Sequence, residues 1–256
     1  MTVERNPFNL TGKNIIITGA SSGIGKACAI ECSRMGAHVA LIGRDRARLD
    51  DALQALDGDG HLALARDISV LEEIEPLVAE TTERLGLIDG FIHSAGVELV
   101  LPLKLMTPIH FTRIYTVNVF AGFEFARQIA KKKYRNNQEV SLVFIASVAG
   151  IKAEAAKIGY SSSKAALING VRSLALELAS CKIRANSVSP AVCLTRMSLS
   201  FLDKLSDEGR KEVISRHPLG LGTPEDVAFA CVYLLSNASR WVTGSNLVID
   251  GGYSVH

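Results

Sequence analysis

The sequence has little with which to brace a fold covalently or by ring stacking. Its 256 residues include five cysteines, seven prolines and one tryptophan, and aromatic side chains make up only 6%. Cys28, Cys32, Cys181, Cys193 and Cys231 are scattered and odd in number, with no CxxC and no His/Cys ligand spacing. That pattern excludes a disulfide framework and a structural metal module, so no metal site is expected, and it fits a reducing compartment. No uncharged apolar run approaches the roughly 18 residues of a membrane span. The opening MTVERNPFNLTGK lacks a basic segment followed by an apolar one. A cytoplasmic protein without a membrane partner is expected. An excess of charge is missing too: 28 Lys and Arg face 26 Asp and Glu, which speaks against a nucleic-acid partner.

What is present is a large apolar fraction, 48%, arranged in short runs that alternate with longer segments of helical period. Asn14 to Thr18, Val39 to Ile42, Leu62 to Ala65, Leu87 to His93, Leu142 to Ala146, Ile183 to Val188 and Leu247 to Ile249 read as strands. Ile24 to Met35, Arg46 to Leu56, Leu71 to Leu85, Pro108 to Lys132, Tyr160 to Ala179 and Pro224 to Leu235 read as helices. Strands apolar throughout are buried on both faces, as in a parallel sheet covered by helices. The rhythm predicts an α/β fold, a Rossmann-type doubly wound parallel sheet of about seven strands, in a single domain over 1–256. One long polar stretch, Ala191 to His217, breaks it. A connection of that length is expected to act as a substrate lid with short helices of its own.

Three local patterns carry chemistry. Strand NIIIT runs into TGASSGIGKACAI, where Gly19, Gly23 and Gly25 allow a tight turn, and backbone N–H groups at a helix start near Ile24 favour a pyrophosphate. A P-loop is excluded, because it would need glycine at position 20 and a hydroxyl at 27, and both are alanine. The plain alternative is a turn that binds nothing. Arg44 follows strand HVALIG, with no acidic residue at Ile42 or Gly43 to bond a ribose 2′-hydroxyl; it suits a 2′-phosphate, the alternative being a solvated charge beside Asp45, Arg46 and Arg48. Tyr160 and Lys164 stand four apart in IGYSSSKAAL, on one face of a helix.

Taken together with Ser147, thirteen positions before Tyr160, and Asn118 in VNVFAG, the chain resembles the short-chain dehydrogenase/reductase family over nearly its whole length. The resemblance implies that Tyr160 donates a proton to a carbonyl oxygen that Ser147 holds. It also implies that Lys164 tunes the phenol and bonds the nicotinamide ribose, and that Asn118 anchors a water through which the proton is replaced. For the coenzyme it implies contacts from Thr18, Gly19, Ser21, Ser22, Gly23, Ile24, Gly25, Arg44, Asp67, Ile68, Ala95, Gly96, Lys164, Pro190, Val192 and Thr195, with Asp67 on the adenine amine. A nearby ammonium and an oxidised nicotinamide both favour phenolate over the ordinary phenol pKa of about 10. Two departures stand out: His93-Ser94-Ala95-Gly96 where the family commonly has Asn-Asn-Ala-Gly, and Pro190-Ala191 where it has Pro-Gly.

The expected function is therefore an NADP(H)-dependent oxidoreductase interconverting a ketone and a secondary alcohol. A 3-oxoacyl thioester is the leading substrate, presented by an acyl carrier protein, since Lys131-Lys132-Lys133-Tyr134-Arg135 resembles the basic patch of 3-oxoacyl carrier-protein reductases. The default reading of that run is a solvated helix end. A keto sugar or small cyclic ketone is the alternative substrate, and a dinucleotide-sensing protein without turnover is the rival from another class. The resemblance also implies a homo-oligomer, a tetramer. His93, His110 and His217 lack a carboxylate or metal spacing and are expected to be structural.

Overall fold

A computed structural model of the chain describes residues 6–255. The expectations about a leader and about a domain running from 1 to 256 reach into residues 1–5 and 256, which lie outside the described residues. Seven strands form one parallel sheet: β1 (Asn14–Thr18), β2 (His38–Gly43), β3 (Leu62–Ala65), β4 (Gly90–His93), β5 (Val140–Ile145), β6 (Ile183–Pro190) and β7 (Asn246–Ile249). Their order is β3-β2-β1-β4-β5-β6-β7, and every pairing is parallel.

The apolar runs explain the layers. In β1 successive side chains point to opposite faces, so Ile15 and Ile17 join one core and Ile16 joins the other. The first core lies under α1 (Gly23–Arg34), α2 (Arg46–Leu53) and α9 (Pro224–Leu235), and the second under α3 (Ile74–Leu85), α5 (Ala121–Ile129) and α6 (Ile158–Leu178). Every residue of β4, β5 and β6 is buried, as two-sided covering requires.

Strand order reverses between β1 and β4, and the crevice outside their carboxyl ends is where a doubly wound sheet holds a ligand. The loops after β1, β4, β5 and β6 converge there. The segment after β6 carries two short helices, α7 (Arg196–Leu202) and α8 (Asp207–Ser215), as its length suggested.

Four elements differ from the sequence expectation by three residues or more: α2 stops at Leu53 instead of Leu56, and α3 starts at Ile74 after a 3-10 turn over Leu71–Glu73. β4 starts at Gly90 instead of Leu87, because the Asp89 carboxylate turns back to accept from the Asn14 amide at 2.9 Å and the Asn136 side chain at 2.9 Å. The helix expected over 108–132 is three pieces: α4 (Pro108–Tyr115), a π-turn (Thr116–Phe120) in which the Ala121 amide reaches the Thr116 carbonyl five residues back, and α5. Asn118 sits in the widened turn.

Candidate active site

The β1 loop is built for close approach. Gly19 has φ +69°, and a Cβ there would lie 2.8 Å from the Ala95 backbone. A Cβ on Gly25 would collide with the Gly19 carbonyl. The Ser22 side chain at the start of α1 makes no capping hydrogen bond, and no acidic residue occupies the first turn. Asp45, Thr195 and Ser206, by contrast, cap α2, α7 and α8. The first N–H groups of α1 thus face the crevice with neither a side-chain cap nor a repelling charge, as a bound pyrophosphate requires. Thr195, in the segment after β6, leans over this loop, with its Cγ2 3.3 Å from where a Cβ on Gly23 would stand.

Arg44 is exposed at the end of β2, and among the described residues no carboxylate lies in ion-pair range of it. Asp67, after β3, is held below the usual carboxylate range first by the Ser69 amide, then by the Ser69 hydroxyl and the nearby Arg44 charge. Ile68 is buried, while Ala95, Gly96 and Val192 are half-buried along the crevice and Pro190 closes β6.

On the other side of the crevice the structure brings Ser147, Tyr160, Lys164 and Asn118 together. Ser147 lies two residues past β5 and caps the next turn by accepting from the Ala149 amide at 3.1 Å. Its hydroxyl pairs with the Tyr160 phenol, which pulls the phenol's pKa down, but burial is the larger effect and raises it to about 12. Tyr160 is therefore a protonated donor at neutral pH. Lys164 is buried, and desolvation lowers its pKa to about 8 against the opposing charge of Glu98. Its Nζ lies 5.7 Å from the Tyr160 ring centre and donates to the Ile145 carbonyl at 2.7 Å. The expected lowering of the phenol by Lys164 is not what acts in the chain by itself: Ser147 and Lys157 do that.

Asn118 is completely committed as a donor. Its Nδ2 donates to the Val97 carbonyl and to Ser163 Oγ, both at 3.0 Å, and its Oδ1 accepts from the Val97 amide at 2.8 Å. Ser163 Oγ in turn donates to the Tyr160 carbonyl at 2.7 Å. Of the three serines between Tyr160 and Lys164, then, one is a polar strut and not merely a small packing residue. Sequence reading missed it because Ser161, Ser162 and Ser163 look alike until the helix phase is known.

It also missed a charged cluster beside the phenol. Lys157 bridges Glu98 at 3.0 Å and Glu154 at 2.8 Å, all three mostly covered. Phe201 of α7 lies 6.0 Å from the Lys157 ammonium. Glu98, two residues past Gly96, and Lys157, three before Tyr160, gave no sign of each other in the sequence.

Other candidates lie elsewhere. Lys131 and Lys133 both pair with Glu75, Tyr134 is buried, and the Arg135 guanidinium is buried on the carbonyls of Ala130 and Asn136. This run precedes β5, at the end of the sheet opposite Tyr160. His110 closes the capping box of α4, and His217 stacks on Tyr253 at 4.9 Å.

Comparison with known proteins places this geometry. A family profile described as Enoyl-(Acyl carrier protein) reductase matches residues 19–254. The chain is 35% identical to the NAD-dependent glycerol dehydrogenase of Listeria innocua, covering 97% of this chain and 96% of that protein. It is 32% identical to the glucose 1-dehydrogenase of Gluconobacter oxydans (96% and 93%) and to a 3-oxoacyl-[acyl-carrier-protein] reductase of Rickettsia prowazekii (96% and 98%). A crystal structure of a short-chain dehydrogenase/reductase from Mycobacterium marinum superposes with a TM-score of 0.86 at 32% identity, covering 98% of both chains.

Proposed function

Within the short-chain dehydrogenase/reductase family, to which the chain belongs, we propose an NADP(H)-linked enzyme that interconverts a small hydroxylated ketone and its secondary alcohol. Oxidoreduction of ketones and alcohols with a nicotinamide dinucleotide is the chemistry of the family. The choice of NADP(H) and of a hydroxylated substrate is our reading. The observation that carries the substrate class is the half-buried Glu98–Lys157–Glu154 cluster beside the Tyr160 phenol. An acyl chain would desolvate those charges without replacing their hydrogen bonds, whereas hydroxyls both accept from the ammonium and donate to the carboxylates.

The coenzyme, when bound, supplies or takes the hydride. Tyr160 gives its proton to the carbonyl oxygen, and Ser147 holds that oxygen and the phenol in one hydrogen-bonded line. Lys164, with one acceptor among the described residues for its three protons, would hold the nicotinamide ribose. Asn118 braces helix α6 through Ser163. Arg44 would grip the 2′-phosphate with two parallel hydrogen bonds. We read 1–256 as one domain with a lid over 191–217, working as a homotetramer in the cytoplasm.

The relatives that act on acyl carrier thioesters favour a second reading, in which the substrate is a 3-oxoacyl thioester. The basic run that would meet such a carrier, with Lys131 and Lys133 paired to Glu75 and Lys132 exposed, lies at the far end of the sheet from Tyr160. One experiment decides among these readings: purified enzyme is assayed with NADPH and NADH against dihydroxyacetone, keto sugars, cyclic ketones and an acetoacetyl thioester, and each coenzyme is titrated into wild type and Arg44→Ala. Turnover of hydroxylated ketones with NADPH is expected. Hydrogen bonds to charged groups contribute about 1.5–3 kcal/mol each, so Arg44→Ala should weaken NADPH by roughly tenfold to several hundredfold and leave NADH nearly unchanged. Preference for the thioester, or for NADH, would overturn the corresponding half of the proposal.

A further inference from the structure

His93 is completely buried at the carboxyl end of β4, between the coenzyme loop and the turn that carries Asn118. We propose that it is a positioning residue that locks these two parts of the site in register. Three hydrogen bonds define the link. Its Nε2 lies 3.1 Å from the Val117 carbonyl, which can only accept, so Nε2 carries the proton. Nδ1 is then an acceptor, and the Thr18 hydroxyl 3.0 Å away donates to it. The Thr18 oxygen in turn accepts from the Ala95 amide at 3.2 Å. The chain of bonds runs from the crevice floor at Ala95, through the first residue of the glycine loop, to the residue before Asn118.

The surroundings hold the ring in that one orientation. Phe91 and Phe144 flank it at 6.1 and 6.3 Å, and Gly122 makes room on α5, since a Cβ there would fall 2.7 Å from the imidazole Cδ2. The bond to Val117 enters the π-turn, the one place in the α4–α5 segment where the backbone ladder shifts by a residue. An imidazole spans from Thr18 to that turn and keeps both ends of the link polar but uncharged. Among the described residues the one charged side chain acting on it is Lys164, and burial and that charge both keep the ring neutral.

The inference rests on Tyr160 and Asn118 being the working groups. Displacing a braced group by about 1 Å can cost roughly a hundredfold in rate, so His93→Phe, which keeps the ring's bulk and loses both bonds, should lower kcat by about ten- to a hundredfold. NADPH affinity, measured by fluorescence, should stay within about threefold of wild type. The solvent deuterium isotope effect on kcat, read with the best ketone of the panel above, should rise as proton delivery becomes limiting. His93→Gln, whose amide offers the same acceptor and donor, should recover most of the loss. Nitrogen-15 NMR of the protein alone should show the His93 ring protonated only at Nε2 from pH 5 to 9.

Wild-type kcat and isotope effect in His93→Phe would overturn the proposal, as would a ring titrating near pH 6.5 or equal defects in the Phe and Gln variants. Should His93→Phe fail to fold, Thr18→Val severs the same link from the other side, and an unchanged isotope effect there would equally overturn it. Full turnover in Tyr160→Phe would instead sink the catalytic reading, while the tautomer measurement would still report on the link.

Discussion

Both ends of the sheet carry buried or half-buried charge, and the two differ in what is left over. At the amino ends of β4 and β5, Asp89 is bonded by Asn14 and Asn136, Arg135 by two carbonyls, and Glu75 by Lys131 and Lys133. Those polar groups close on one another. At the carboxyl ends, Lys164 has one acceptor for three protons among the described residues, the α1 start has no side-chain cap, and the Ser147–Tyr160 pair opens to the crevice. Closed clusters fix strand ends, whereas the unspent donors of the second end are the groups to which the proposed function assigns a ligand.

The most severe way to break the comparison is Tyr160→Phe. It removes the group that the proposed function makes the proton donor, and turnover should fall by at least about 10²–10⁴, with coenzyme affinity by fluorescence nearly unchanged. Retention of most activity would show that the open end is not where the proton comes from.

Acid stability sharpens the contrast next. Burial, with help from Lys164, lowers the His93 pKa to about 3 from an ordinary value near 6.5. A group whose folded pKa lies below its unfolded one takes up its proton in the unfolded chain first. Stability is therefore full above pH 6.5 and lost as pH falls toward 3. At pH 5 the loss should be about 2 kcal/mol more in wild type than in His93→Gln, measured by urea unfolding at pH 7 and 5. Parallel pH profiles of the two proteins would refute the assignment.

A smaller effect is expected at the mouth of the site. Glu98→Gln leaves Lys157 with Glu154 alone and weakens the grip on substrate hydroxyls, so KM for a hydroxylated ketone should rise about tenfold while a simple cyclic ketone is unaffected. Equal changes for both substrates would mean that the cluster only shapes the loop.

The smallest change belongs to the closed end. Hydrogen bonds from Lys131 and then Lys133 hold the half-buried Glu75 carboxyl down at about 2, so its contribution is present above about pH 4.5 and lost as pH falls toward 2. Glu75→Gln should leave kcat and coenzyme affinity untouched and shift the melting temperature only slightly, less in high salt than in low. A loss of catalysis would show that the two ends communicate.

Read without its fold, the chain already disclosed most of this architecture. Continuous apolar runs such as NIIIT and LVFIA need cover on both faces, and that requirement leaves little besides a helix-covered parallel sheet. The glycine spacing after β1, and the four-residue step from Tyr160 to Lys164, are local facts of backbone freedom and helical period. Local patterns of that kind survive in one dimension.

Contacts between residues far apart in the chain do not. Glu98 meets Lys157, Asn118 meets Ser163, and His93 joins Thr18 to Val117 only because a reversal of strand order sets β1 beside β4 and lays α5 and α6 across them. The direction of a pKa shift is decided there too. The sequence places a lysine near a tyrosine and so points to a lowered phenol, but in the fold the lowering comes from Ser147 and Lys157, and burial outweighs both and leaves Tyr160 protonated. Desolvation is a property of everything that surrounds a group at once, and only the folded chain supplies it.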